Sequence, residues 1–213
     1  MYPIHRAKKG QVFIISAPSG SGKTTLGKEL LNSLPDLQLS ISYTTRKPRP
    51  GEQEGVDYFF LTREEFEKKR MKGELIEWAE VFGHYYGTSR KRLTQHLQQG
   101  KDVLLLIDVQ GAIQIMEKLP RVVSIFVLPP SRDALKQRLE ERGTDTAEEI
   151  QRRLKVAERE IDYWSHYDYS VINETLTEAV EKLKSIIVAE HSRQEVMKDV
   201  VQRLIDDFRP RQR

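Results

Sequence analysis

The sequence predicts an α/β fold, a parallel sheet with helices on both faces, and three observations carry that expectation. After Gly100, strand-like and helix-like segments alternate, the rhythm of a parallel sheet crossed over by helices. Residues 103–107 and 122–128 are apolar runs, interrupted only by Ser124, as expected of central strands covered on two sides. The first apolar run, residues 11–16, opens into a Gly/Ser-rich loop, residues 17–22, and then a helix-forming segment.

Each element follows from local chemistry. The first helix, residues 23–34, stops at Pro35, and a strand-like stretch follows at residues 39–43. A polar Arg/Pro/Gly segment, residues 45–55, comes next. Thr62 and Glu65 have capping-box spacing, so a helix starts there and ends near Gly73. Residues 75–82 read as extended, Gly83 and Gly87 as a turn, and residues 89–99 as a helix. Beyond the strand at 103–107 come a helix at 110–119, the strand at 122–128 and helices at 131–142 and 146–163. The last of these opens on a second capping-box pair, Thr146 and Glu149. A short strand at 169–172 and a long, breakable helical tail at 175–208 complete the chain. Residues 44–90 interrupt the strand–helix rhythm. The expected organisation is therefore a core of residues 1–40 and 89–213, with a lid at about 138–160, and an inserted lobe at 41–88.

Composition narrows the function. The chain has 213 residues, 38% of them hydrophobic and 31% charged, which describes a globular protein with one substantial core. No apolar run is long enough to cross a bilayer, and no apolar segment follows the basic N-terminal residues as a signal peptide would require. Without cysteine there is no disulfide framework, thiolate zinc site or thiol nucleophile. The net charge of +3 is spread among acids, except at Arg209, Arg211 and Arg213, which read as a solvated chain end. The expectation is a cytoplasmic protein with no nucleic-acid and no membrane partner. A monomer and a homo-oligomer both stay open.

The strongest motif is Ala17, Pro18, Ser19, Gly20, Ser21, Gly22, Lys23, Thr24, with Thr25 after it. It fits the P-loop pattern, between strand and helix, apart from Ala17 at the first glycine. Glycines let backbone N–H groups curl around phosphate oxygens, and the helix N-terminus adds its positive dipole end. Lys23 would reach the β- and γ-phosphates, and Thr24 would ligate Mg²⁺. Asp108, at the end of the 103–107 run, resembles the metal-holding acid of such proteins, although an acid there also reads as a turn or cap residue.

Several longer blocks resemble guanylate kinases. They include residues 42–52, 55–58, 76–79, 85–88, 108–111, 128–131, 138–144 and 171–173, so the likeness runs from Gly10 to about Ile187. The resemblance implies a P-loop parallel-sheet core with helices on both faces, an inserted GMP-binding lobe and a helical lid. It implies reversible transfer of the γ-phosphoryl of Mg–ATP to GMP, giving ADP and GDP. On the acceptor side it assigns Arg46, Arg49, Tyr58 and Tyr86 to the GMP phosphate, with Ser42, Glu77 and Thr88 at the base and Glu52 and Asp108 nearby. These residue types suit such a substrate, since arginine forks match phosphate, and an ionised carboxylate only accepts, as the N1–H and 2-amino edge of guanine requires. On the donor side it brings Arg138, Arg142, Arg153 and Asn173 to ATP, beside the phosphate loop. Lys23, Arg46, Arg142 and Arg153 are the candidate catalytic residues, and Mg²⁺, held by Thr24 and Asp108 partly through water, is the expected cofactor. Arg152 and Arg159 read instead as surface arginines paired with glutamates.

Two positions depart from the family pattern. Ala17 is one; the other is Leu106, where these enzymes usually carry an acid, leaving its work to Asp108 or to nothing. A different nucleoside monophosphate kinase or a regulatory P-loop switch is one rival reading, and scaffold domains that share the fold and bind phosphopeptides are the other. They usually lose the phosphate loop, which stands here.

Overall fold

The computed structural model describes residues 10–141, 143 and 146–209. Arg142, with Thr144, Asp145, Arg211 and Arg213, lies outside the described residues. The core is a five-stranded sheet of β1 (Val12–Ser16), β2 (Leu37–Leu39), β7 (Asp102–Leu106), β8 (Val123–Leu128) and β9 (Tyr169–Ile172). Its order is β2-β7-β1-β8-β9 and every pair is parallel. The expected α/β class is observed, and the apolar runs are its three inner strands.

Those runs lack the polar alternation of a half-exposed strand because successive side chains enter different cores. Phe13, Ile15, Leu104, Ile125 and Val127 face a cluster shared with α1 (Lys23–Ser33) and α7 (Leu176–Glu190). Val12, Ile14, Val103, Leu105 and Phe126 face the opposite cluster, with α3 (Arg90–Gln98) and α4 (Val109–Lys118). A third cluster, Leu135, Leu139, Ile150, Leu154 and Ala157, joins α5 (Arg132–Glu141) to α6 (Ala147–Ile161). Both capping boxes are formed, at Thr62 for α2 (Arg63–Met71) and at Thr146 for α6.

A second sheet, of order β4-β3-β6-β5, occupies the interrupting segment. Its strands are β3 (Tyr43–Thr44), β4 (Phe59–Phe60), β5 (Leu75–Val81) and β6 (His84–Ser89). Two expectations are corrected here, and one strand is added. The stretch 39–43 is not one strand: Ser40 N–H donates to Leu104 O at 2.9 Å, after which the chain leaves one sheet for the other. Gly87 is inside β6 rather than in a turn, and a Cβ there would meet Glu77 O at 3.0 Å, so crowding, not chain reversal, requires glycine. The pair Phe59–Phe60, too short to read from periodicity, adds beside β3.

α6 ends at Ile161 and continues as a 3₁₀ turn, Asp162–His166. The C-terminal tail breaks between α7 and α8 (Gln194–Phe208), and α8 has no buried residue.

Candidate active site

The phosphate loop joins β1 to α1, and its two glycines answer two demands each. Gly20 and Gly22 have φ of 98° and 90°, the left-handed region that L side chains avoid. A Cβ on Gly20 would lie 2.8 Å from the Leu139 side chain, and one on Gly22 2.9 Å from Asn173 Nδ2. Ala17 has no such constraint: its φ is not positive, and its methyl is buried in the core cluster with Phe13 and Leu26. The first departure from the motif is thus sterically neutral.

Pro18 O accepts from Ser21 N–H at 3.1 Å, and the buried Ser21 returns its carbonyl to Asn173 Nδ2 at 2.8 Å. Gly22, the N-cap of α1, offers no side-chain cap, so the first-turn N–H groups are left to an anion. Thr24 and Thr25 are exposed on that turn.

Lys23 Nζ donates to Ile107 O at 2.7 Å. Burial lowers its pKa, opposed by the nearby charges of Asp108, Glu160 and Glu77. This answers the second departure. Leu106 packs over α1, its side chain 2.3 Å from where a Gly27 Cβ would sit, and the backbone carbonyl of Ile107 holds the lysine. Asp108 contributes a favourable charge beside the lysine, and the Ile107 carbonyl supplies its hydrogen bond. The Ser16 hydroxyl donates to the same Ile107 carbonyl at 3.0 Å, fixing the end of β1 against that of β7.

Asp108 is the N-cap of α4, accepting from Gly111 N–H at 3.1 Å and Gln110 N–H at 3.3 Å. Among the described residues no group of three or more His, Cys, Asp or Glu side chains forms a metal cluster. Any cation here would have to complete its shell with phosphate and water oxygens.

Across the cleft, Glu77 projects from β5 with only 3% of its surface exposed, and its Oε1 accepts from Thr88 Oγ1 at 2.6 Å. Burial pushes its carboxyl up to about 7, against the Thr88 hydrogen bond and with the repulsion of Asp108. A Cβ on Gly111 would stand 2.6 Å from Glu77 Oε2, so the glycine makes room for the carboxylate against α4. Ser42 is half-buried where the chain enters the second sheet, and its carbonyl accepts from Phe59 N–H at 2.9 Å.

Arg46 is held from several sides. Glu52 forks it at 2.8 and 3.0 Å, Lys47 O accepts at 2.7 Å, and the Tyr58 ring lies 5.3 Å from its guanidinium carbon. Glu52 also accepts from Arg49 N–H at 2.7 Å, so both of its oxygens are engaged within the loop. Tyr86 stands edge-on to Tyr58 at 6.0 Å, while the Arg49 side chain is exposed.

On the other side, Arg138 Nη2 donates to Asn173 O at 2.8 Å, whereas its buried Nη1 has no partner among the described residues. Asn173 props the back of the phosphate loop through its buried, engaged amide. Arg152 and Arg153 of α6 both approach Phe82, at 4.9 and 5.4 Å from the ring centroid. For Arg152 this replaces the expected glutamate pairing.

Sequence reasoning missed Glu160, whose Oε2 accepts from Ser19 N–H at 3.2 Å and whose carboxyl burial pushes up to about 7. Nothing along the charged α6 sequence distinguishes it. It also missed Gly111, although glycine in the first turn of a helix is a recognisable sign of close approach.

Comparisons with known proteins point to one family. The family profile described as guanylate kinase matches residues 9–190. A guanylate kinase of Hahella chejuensis is 53% identical over 185 residues, covering 87% of this chain and 89% of the relative. One of Desulfitobacterium hafniense is 50% identical over 184 residues, covering 86% and 92%. The crystal structure of guanylate kinase from Anaplasma phagocytophilum superposes with a TM-score of 0.75 at 40% identity, covering 87% of this chain and 88% of that one.

Proposed function

The chain belongs to the guanylate kinase family, ATP:GMP phosphotransferases, and from that premise we propose how its residues divide the reaction. The observation that carries the division is geometric. Ile107 O at the end of β7 holds Lys23, and Gly111 in the first turn of the helix that follows makes room for the Glu77 carboxylate, so one strand–helix junction touches both.

The donor triphosphate binds over residues 17–25, with backbone N–H groups and Lys23 on its oxygens. Thr24 and Asp108 fit Mg²⁺ as two oxygen donors flanking that loop, Asp108 acting through water because its oxygens cap α4. Bound there, the ion would neutralise charge on the phosphates. The unpartnered Nη1 of Arg138 supports a donor-side contact, Asn173 acts by holding the loop, and Arg142 and Arg153 neutralise the transferring group. Glu160, whose carboxyl burial pushes up to about 7, accepts from Ser19 N–H and steadies the start of the phosphate loop.

The acceptor phosphate lies between Arg46, Arg49, Tyr58 and Tyr86. Glu52 serves by setting the plane of Arg46 in advance. Each charge-assisted bond contributes about 1.5–3 kcal/mol. Glu77, with Thr88 and Ser42, reads the base: ionised, it accepts from both guanine donors, whereas adenine presents an acceptor and leaves it unpaired. Transfer is in line and direct. A phosphate oxygen needs no general base, so positioning and charge neutralisation carry the catalysis. We place the reaction in the cytoplasm; among the described residues no helix is long and apolar enough to cross a membrane.

The test is a steady-state comparison of GMP, AMP, UMP and CMP as acceptors with Mg–ATP. GMP should give the highest kcat/KM by orders of magnitude; a preference for AMP or UMP overturns the reading of Glu77.

A further inference from the structure

Phe82 occupies a position that turn chemistry argues against. It and Gly83 link β5 to β6 with φ of 51° and 81°, the signature of a tight hairpin turn with both central residues left-handed. Asn or Gly is the ordinary choice at the first of these positions, because a bulky Cβ-bearing side chain is strained there. Phe82 is the sole non-glycine residue with positive φ among the described residues. Its ring belongs to none of the three core clusters, so interior packing does not account for the strain.

What the ring does contact is α6. Arg152 and Arg153 are neighbours on that helix, and their guanidinium carbons lie 4.9 and 5.4 Å from the ring centroid. The helix is fixed elsewhere by Ile150, Leu154 and Ala157 against α5, and by Glu160 at Ser19 N–H of the phosphate loop. It thus runs from the donor loop to the hairpin tip of the sheet that carries Glu77. Arg46 is held in a comparable way, over the Tyr58 ring, with the Glu52 carboxylate as a second restraint. A ring face orients a guanidinium through its plane.

We propose that Phe82 is a positioning residue for phosphoryl transfer: its ring seats Arg153, with Arg152 beside it, so that the base-reading sheet sets where the donor-side arginine stands. The inference rests on the reading of Arg153 given above. Strain at Phe82 is tolerated because no residue that prefers the left-handed conformation offers a ring of this kind.

The experiment compares Phe82→Asn, Phe82→Tyr, Arg153→Ala and the double variant Phe82→Asn/Arg153→Ala. Asparagine suits the turn, so Phe82→Asn should melt no lower than the parent, which separates loss of the ring from loss of fold. Its kcat should fall about 5- to 10-fold with KM for GMP changed less than about twofold, and Phe82→Tyr should restore most of the rate. In the Arg153→Ala background the same substitution should lower kcat by less than about twofold, since the residue it positions is gone. If Phe82→Asn keeps full kcat while Arg153→Ala loses it, the positioning role is overturned and the Arg153 reading stands. Equal losses in both backgrounds also overturn it, because the effect then bypasses Arg153. If Arg153→Ala itself keeps full kcat, the Arg153 reading fails and takes this inference with it.

Discussion

On the proposed reading, the phosphate loop and the second sheet would bind chemically similar groups by different means. In the loop the work falls to backbone: left-handed Gly20 and Gly22, an uncapped helix N-terminus, and buried props from Leu139 and Asn173. In the second sheet it falls to side chains held by other side chains, as Arg46 is by Glu52 and Glu77 by Thr88. Backbone N–H groups cannot tell one triphosphate from another, whereas a carboxylate fixed at one edge of a base can. Generic recognition is therefore built into the chain's path, and selective recognition into side chains that can be replaced one at a time.

The largest effect should follow from cutting the loop's one indispensable side chain. Lys23→Ala should lower kcat by about 10³-fold while the dissociation constant for GMP, measured calorimetrically, changes less than about threefold. Comparable loss of GMP binding would mean that the two regions are not separable.

Glu77→Gln probes the other side. The amide puts a donor where guanine also donates, so kcat/KM for GMP should fall about 10²- to 10³-fold with KM for ATP little changed. Unaltered use of GMP would show that base selection lies elsewhere.

The same carboxylate gives a pH signature without ligand. Its folded pKa of about 7 lies above the ordinary value of 4.5, so the native state holds an extra proton between those limits. Stability from this group is full below pH 4.5 and is lost as pH rises through 7; Glu160, raised by burial to the same value, adds to the trend. At pH 8 Glu77→Gln should be the more stable protein by up to about 3 kcal/mol, roughly 6–12 °C in Tm, with the difference vanishing near pH 4.5. A pH-independent difference in melting curves would remove the buried carboxylate as its cause.

The smallest effect should come from Glu52→Gln. Arg46 loses its charged fork but keeps its own charge, so KM for GMP should rise about 10-fold at nearly constant kcat. A fall in kcat alone would assign Glu52 to the transition state instead.

Much of this was present in the linear pattern. The parallel core is legible because strands buried on both faces are apolar at nearly every position, and both capping boxes because their partners are three residues apart. The loop glycines are legible for the same reason of locality. What local pattern could not supply were contacts between distant segments. Phe59–Phe60 is a strand only because β3 lies beside it, and Gly87 looks like a turn residue until Glu77 O is found 3.0 Å from its missing Cβ. Ile107 O holds Lys23 across 84 positions, Glu160 reaches Ser19 across 141, and Asn173 meets Ser21 across 152. Periodicity and capping act over a few residues and are written in order along the chain. Burial, the pKa of Glu77 and the seat of Arg153 depend on which segments the fold brings together, and that is settled only when the chain has closed on itself.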